Sequence, residues 1–409
     1  MEKLAILGGE PTKTTPFPVW PQFDESERES LLEVLDSRIW WRTPGTKTLE
    51  FEREFAAYHQ AKHGIACTNG TAALEISLAA LEIGLGDEVI VPDFTFVATA
   101  SAVLFSGALP VMVDVDAATY CIDPQKVEAA ITRRSKAIIA VHLAGHPADM
   151  DALQSIASKH NLVIIEDSAH AHGSEWKGHK VGCIGKVGTF SFQQSKLMTA
   201  GEGGIIITND DELEVRIRSV HDCGRMPGEW FYSHFIYGSN YRLSEWQGAI
   251  LSQQLKRLDS QCVKRKSNAA YLNKHIAKIE GITPQLLDPR VTQNGYYCYI
   301  FTYQPSCFNG LPTEEFIKAL NAEGIPTQAS YPPVHGLSLF QSGEYLKRLS
   351  PDHAKEDHKF IKAAFPVTEL GYKNSIWLVH RALLGTEQDS AEIVEAVKKI
   401  QNNSKFLVK

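Results

Sequence analysis

From Gly64 to about Val220 the chain alternates two hydrophobic rhythms. Short apolar runs of strand length are separated by longer stretches whose apolar positions recur at helical spacing. Ile65-Ala66-Cys67, 88–91, 111–115, 137–141 and 162–165 predict strands; 71–83, 97–105, 123–131 and 148–159 predict the helices between them. Strands over 190–192 and 204–208 then precede a helix over 212–220. Nearly continuous apolar strands belong to a sheet covered on both faces, so an α/β fold with a mostly parallel central sheet is expected. Ligands of such sheets bind at the carboxyl ends of the strands.

The flanks follow other patterns. Residues 1 to about 23 are rich in Gly, Thr and Pro and read as an extended arm. Helical spacing over 25–36 and 48–60 is interrupted by Ile39-Trp40-Trp41-Arg42-Thr43-Pro44-Gly45, where two tryptophans pack under a loop or line a pocket. Beyond about Leu255 come a long basic helix, an aromatic strand over 296–303, a helix over 313–322, the loop Tyr331-Pro332-Pro333-Val334-His335 and a helix from about Asp389. The expected organisation is a large domain with its arm, 1–254, and a smaller α+β domain, 255–409.

Length agrees with that division, since 409 residues exceed one compact core. A net charge of −7 argues against a nucleic-acid footprint. Seven scattered cysteines without a Cys-x-x-Cys pair fit free thiols in a reducing cytoplasm. The first residues lack the apolar core of a signal peptide. Phe94 to Val113 is uncharged over a membrane-spanning length, but Gly107 and Pro110 divide it into a helix and a strand. No membrane partner is expected.

Three stretches carry chemistry. Lys196 follows the alternating run from Thr189 to Gln193 and precedes the glycine cluster Gly201-Glu202-Gly203-Gly204, so it lies on a connection between strands. Partial desolvation there lowers an amine's pKa and frees it as a nucleophile toward a carbonyl, with a Schiff base as the product. Thr68-Asn69-Gly70-Thr71-Ala72-Ala73 joins a strand to a helix; Gly70 admits a ligand to the backbone, Thr71 adds a hydroxyl, and the helix start attracts phosphate. Glu166-Asp167 ends a strand, where a buried carboxylate needs a partner such as a protonated pyridine nitrogen. Taken singly these are an N-cap turn, a capping carboxylate and a loop lysine. In this order on an α/β scaffold they form a three-point holder for pyridoxal phosphate. His170 and His172 stand two apart beside Ala171 and Gly173, in a turn with no third ligand cluster, so no metal site is expected.

The chain resembles the DegT/StrS-type aminotransferases, fold-type-I pyridoxal-phosphate enzymes that aminate keto sugars and keto cyclitols. The resemblance spans Leu4-Ala5-Ile6-Leu7-Gly8-Gly9-Glu10-Pro11, the turn at Thr68 to Ala73, Val91-Pro92-Asp93-Phe94-Thr95-Phe96-Val97-Ala98-Thr99 and Glu166-Asp167-Ser168-Ala169-His170-Ala171-His172-Gly173. It continues through Ser191 to Gly204 and Gly238-Ser239-Asn240-Tyr241-Arg242-Leu243-Ser244-Glu245. The opening and the region from Gly310-Leu311-Pro312 to His335 are similar to scyllo-inosose aminotransferases and 3-amino-5-hydroxybenzoate synthase.

The resemblance implies roles. Lys196 is the Schiff-base lysine and proton shuttle, and Asp167 holds the pyridine nitrogen. Phe96 stacks on the ring, while Gly70, Thr71 and Ser191 bind the phosphate. His170 lies near the phenolic oxygen, where many members carry Gln. Asn240 reaches the neighbouring subunit's phosphate, implying a homodimer with shared active sites. Dehydratase members carry His in place of the lysine, so Lys196 points away from that branch. The expected reaction is ping-pong transamination from L-glutamine or L-glutamate to a keto cyclitol or keto sugar, with Tyr331, His335 and Arg381 as candidate substrate contacts. Amination of a nucleotide-linked 3- or 4-keto hexose is the nearest alternative, and a non-catalytic cofactor-binding regulator the alternative of another class. An NAD enzyme would need Gly-x-Gly-x-x-Gly after the first strand, and none is present.

Overall fold

A computed structural model describes residues 2–355 and 363–408. The arm leads into α1 (Glu25–Ser37) and α2 (Lys47–Tyr58). There follow β1 (His63–Cys67), α3 (Gly70–Ala80), β2 (Glu88–Pro92), α4 (Ala98–Ser106), β3 (Leu109–Val113), α5 (Pro124–Ala130), β4 (Ser135–Val141), α6 (Met150–His160) and β5 (Val163–Asp167). A small hairpin, β6 (Glu175–Trp176) and β7 (His179–Lys180), precedes β8 (Val187–Ser191), β9 (Gly204–Thr208) and α7 (Asp211–His221). The central sheet has the order β1-β9-β8-β5-β4-β2-β3. β9 is antiparallel to both its neighbours and the other pairs are parallel. This geometry brings the ends of β1, β2, β4, β5 and β8 and the start of β9 to one edge. Apolar clusters on both faces bury the strands, as their uninterrupted apolar sequences require.

The 32-residue helix α8 (Glu245–Ile276) begins ten residues before the expected position. Ser244 and Gln247 form a capping box there, with Ser244 N–H donating to Gln247 Oε1 at 3.2 Å. Glu245 in turn accepts the Lys47 and Thr48 amides at 2.7 and 3.0 Å, capping α2. The expected division at 254/255 falls inside this helix, which packs against α1 and α2.

Beyond α8 lie β10 (Ile282–Pro284), β11 (Val291–Gln293), β12 (Cys298–Tyr303), α9 (Thr313–Ala322), β13 (Thr327–Ala329), α10 (Ser338–Gln341), α11 (Pro351–Lys355), α12 (Pro366–Asn374), β14 (Ser375–Val379) and α13 (Glu387–Asn403). An antiparallel sheet runs β10-β12-β14-β13, and β11 joins the small hairpin. β12 starts later than its aromatic run suggested: Tyr296 turns to φ 53° as its N–H donates to Asn294 Oδ1 at 2.7 Å. Likewise β8 ends at Ser191: Phe192 N–H still donates in register to Gly203 O at 2.8 Å, but its carbonyl turns away to accept the Ala200 amide at 3.2 Å. The uncharged stretch from Phe94 to Val113 is α4 plus β3. Among the described residues no helix is long and apolar enough to cross a membrane.

The arm is fastened to the second sheet rather than left loose. Leu4 and Phe17 enter its core, and buried Glu323 accepts the Ala5 and Thr12 amides and the Thr12 hydroxyl, each at 2.8 Å. Lys399 Nζ pairs with the same carboxylate at 2.8 Å, and buried Lys13 pairs with Asp389 and Glu392 of α13. Removing one partner of a buried charge set is costly. Glu323→Ala is expected to lower the unfolding free energy by roughly 3 kcal/mol in chemical denaturation. A loss well below that would mean the arm is anchored chiefly by Leu4 and Phe17.

Candidate active site

The carboxyl edge of the central sheet collects residues from separate strands. Strand alternation sends Glu166 and Asp167 to opposite faces. Glu166 is fully buried and accepts the Gly182, Ile184 and Gly185 amides at 2.6–2.7 Å, with His142 Nε2 at 3.0 Å. Because Ala148 N–H donates to His142 Nδ1, His142 carries its proton on Nε2 and donates it to Glu166. Asp167 takes neutral donors instead. Thr99 Oγ1–H donates to Oδ2 at 2.9 Å, Thr95 and Thr99 hydroxyls lie 3.0 Å apart, and Ala169 N–H reaches Oδ1 at 3.3 Å. Burial raises the Asp167 pKa, opposed by Thr99, the Ala169 amide and Lys196.

Lys196 lies on the connection between β8 and β9. Burial of its amine pushes the pKa down to about 8, against the pull of Asp167. Nζ sits 4.5 Å from the centroid of Tyr297. The Tyr297 ring stacks on His170 at 4.0 Å, and its hydroxyl is 2.9 Å from Ser195 Oγ. His170 accepts the Ala144 amide at Nδ1 (3.3 Å), so its Nε2–H faces the Tyr331 hydroxyl at 3.2 Å. Burial holds His170 far below its ordinary pKa and therefore neutral.

The proposed phosphate seat is narrow. Asn69 caps α3 by accepting the Ala72 amide at 2.8 Å, which leaves the Gly70 and Thr71 amides ahead of the first intrahelical acceptor. A Cβ on Gly70 would come within 2.7 Å of Ser191 Cβ, so the helix start and the end of β8 meet at a residue that must lack a side chain. Gly204 is similarly constrained, since a Cβ there would lie 2.4 Å from Asn69 O. Phe96, 53% exposed, borders the same edge, with its ring 5.7 Å from Tyr331.

Other predicted residues stand apart or are already engaged. His335 donates its backbone N–H to Asp93 Oδ1 at 2.8 Å, and its Nδ1 is 2.6 Å from Oδ2, tying the loop after β13 to the end of β2. Arg381 reaches Pro18 O of the arm at 3.4 Å. Asn240 is exposed, bridging to Asp222 at the base of a loop carrying exposed Trp230, Tyr232, Phe235 and Tyr237. Sequence reasoning missed Thr99, His142 and Tyr297. Neither Thr99 nor Tyr297 carried a local signal, since Thr95 lies before α4 and meets Thr99 only through the turn that opens the helix.

An α/β sheet with a desolvated lysine and a buried aspartate at one edge is the architecture of the fold-type-I aminotransferases, and comparison with known proteins agrees. The 3-amino-5-hydroxybenzoic acid synthase crystal structure superposes with a TM-score of 0.87, at 38% identity, over 96% of this chain and all of that one. The 3-amino-5-hydroxybenzoate synthase of Amycolatopsis mediterranei is 40% identical over 390 residues, covering 93% of this chain and 97% of the relative. The L-glutamine:2-deoxy-scyllo-inosose aminotransferase of Streptoalloteichus tenebrarius is 41% identical over 415 residues, covering 97% of each. Residues 21–398 match the DegT/DnrJ/EryC1/StrS aminotransferase family, and the chain belongs to it.

The amine's environment sets a measurable midpoint. Pulsed acylation of the cofactor-free protein, read by peptide mass spectrometry across pH, should show Lys196 becoming reactive around pH 8. Above that pH the amine is neutral. The Asp167 charge favours the ammonium form, so Asp167→Asn should move the midpoint lower; an upward move would show that Asp167 does not face the amine.

Proposed function

We propose that this aminotransferase holds pyridoxal phosphate at the edge formed by Gly70, Thr71, Asp167, Ser191 and Lys196. It transfers an amino group from L-glutamine or L-glutamate to a keto cyclitol or keto sugar by a ping-pong mechanism. The observation that carries this is the meeting of half-buried Lys196 and buried Asp167 at one sheet edge, where each favours the charged form of the other. The cofactor's chemistry fits the edge. A carboxylate whose hydrogen bonds come from a hydroxyl and an amide is left to be balanced by a protonated ring nitrogen. The narrow gap between Gly70 and Ser191 suits a phosphate bound by backbone amides and hydroxyls. The exposed Phe96 ring offers a flat face to an aromatic ring.

When bound, pyridoxal phosphate supplies an electron sink for a carbanion beside the transferred nitrogen. The chain supplies the rest. With a pKa of about 8, the Lys196 amine can take a proton from the substrate carbon and return it near neutral pH. Asp167 keeps the ring nitrogen protonated. His170, held neutral, presents its Nε2–H toward the Tyr331 hydroxyl, from where it would meet the phenolic oxygen of a bound cofactor. The name of the Streptoalloteichus tenebrarius relative supports a cyclic ketone as acceptor and L-glutamine as donor. Tyr331, which lies between Phe96 and His170, is the substrate contact best supported, with His335 and Arg381 holding the loops around it.

We further propose a cytoplasmic homodimer in which Asn240 of the partner subunit completes the phosphate seat. Seven free cysteines support the reducing compartment. Exposure of Asn240 and of the aromatic loop beside it supports a second copy as the occupant of that face.

The purified protein with added pyridoxal phosphate should show a protein-bound cofactor band that shifts on addition of L-glutamine or L-glutamate and reverts with a keto cyclitol. Lys196→Ala should abolish the original band. Reversion only with a nucleotide-linked keto hexose would replace the substrate class, and binding without any donor-induced shift would indicate a regulator. Mixing inactive Lys196→Ala with a weakened Asn240→Ala should restore activity, because a mixed dimer contains one intact site. No restoration after subunit exchange would confine each site to one chain.

A further inference from the structure

The turn that carries Lys196 is held from outside at successive carbonyls. Gln193 O accepts the Lys196 amide at 2.9 Å within the turn. Gln194 O accepts Trp20 Nε1–H at 2.9 Å, and Ser195 O accepts His380 Nε2–H at 3.1 Å. Ser195 is fixed again through its N–H and hydroxyl to Gln193 Oε1 at 2.8 and 2.7 Å. The two external donors brace each other: the Trp20 and His380 rings meet edge to face at 4.5 Å, and His380 lies parallel to Tyr297 at 6.2 Å.

His380 is 5% exposed, and its Nδ1 has no hydrogen-bond partner among the described residues. An apolar ring of similar size would fill this space without burying a bare nitrogen. What the imidazole contributes is its single bond to Ser195. Trp20 arrives by a different route, at the end of the arm that Glu323 and Lys13 fasten, with Arg381 next to His380 reaching Pro18 O.

We propose that Trp20 and His380 are positioning residues for Lys196, clamping the Gln193–Lys196 turn so that its amine stays withdrawn from water at the sheet edge. The N-terminal arm is thereby a working part of the active site. This inference rests on Lys196 being the reactive amine of the proposed function, though not on the identity of the ketone or the donor. The groups facing the amine are Asp167 from β5, His170 and His172 after it, Tyr297 and Cys298 beside β12, and His380. Burial keeps the three histidines neutral and pushes Tyr297 and Cys298 up to about 12, so Asp167 is the charged member of the set. The amine's midpoint is then governed by its hydration and its distance from that one carboxylate. A loosened turn lets water in and moves the midpoint up toward the ordinary lysine value.

The test is the acylation profile of Lys196 in the cofactor-free full chain, with exposed Lys398 as internal control. Trp20→Phe and His380→Phe keep the rings and remove the donors. Both should raise the Lys196 midpoint by half a unit or more, lowering its labelling at pH 7 about threefold. His380→Gln, which keeps an N–H donor, should stay within a factor of about two of the unaltered protein. Melting temperatures taken alongside separate this from general loosening, which would also change buried Lys13 and half-buried Lys47, Lys180 and Lys399. Unchanged Lys196 profiles in both phenylalanine variants, or equal loss in His380→Gln and His380→Phe, would overturn the proposal. A clamp-dependent midpoint near 8 in a protein that takes up no pyridoxal phosphate would support the clamp and refute the proposed function instead.

Discussion

A half-buried lysine and a buried aspartate, drawn together at one edge of a sheet, are the constraint on which the rest of this molecule depends. Each group alone would resist burial. The amine responds by giving up its proton more easily, and the carboxylate by holding its own more tightly. Each also favours the charged form of the other, so neither state is fully imposed. The remaining lone pairs of Asp167 are met by Thr99 and Ala169, neutral groups that orient the carboxylate without neutralising it. Glu166, one residue earlier, is satisfied by three amides and a histidine, and so anchors the strand that presents Asp167.

Holding that pair requires parts of the chain that are far apart in sequence. β5 and β8 are neighbours in the central sheet, which brings Asp167 and Ser191 to the same edge. The start of α3 is pressed against β8 and β9, close enough that Gly70 and Gly204 cannot carry side chains. From the second sheet come Tyr297 and His380, which border the Lys196 turn, while Trp377 packs against Tyr331. The two chain ends meet through Lys13 with α13 and through Glu323 with Lys399, so the arm that delivers Trp20 is held at buried ion pairs rather than by surface contacts.

This division of labour fits a family whose members share a reaction and differ in the ketone they accept. The Lys196–Asp167 edge belongs to the central sheet, whereas the groups around it, Phe96, Tyr331 and the aromatic loop near Asn240, sit on connections. Connections can change length and composition without disturbing the sheet that holds that edge.

The central α/β alternation was legible because each strand is apolar on both sides and each helix repeats at its own period, signals contained within a few residues. The meeting of the Thr68–Ala73 turn, Asp167 and Lys196 was legible for a related reason: each lies next to a strand end, and a parallel sheet sends those ends to one edge. The strands β13 and β14 were not assigned, since no strand–helix alternation frames them and their place is set by pairing with each other and with β12. The early start of α8 was marked by its capping box, yet its weight came from Glu245 capping α2, a contact across 198 positions. The sequence by itself therefore determined the fold class and which residue types stand at the carboxyl edge of the central sheet. Only the tertiary structure decided that Thr99 serves Asp167, that Tyr297 lies against the lysine, that His335 is tied to Asp93, and that Trp20 and His380 grip the lysine's turn. Contacts between residues 68 to 242 positions apart leave no periodic trace in a chain; they exist only once the sheets have set the distance.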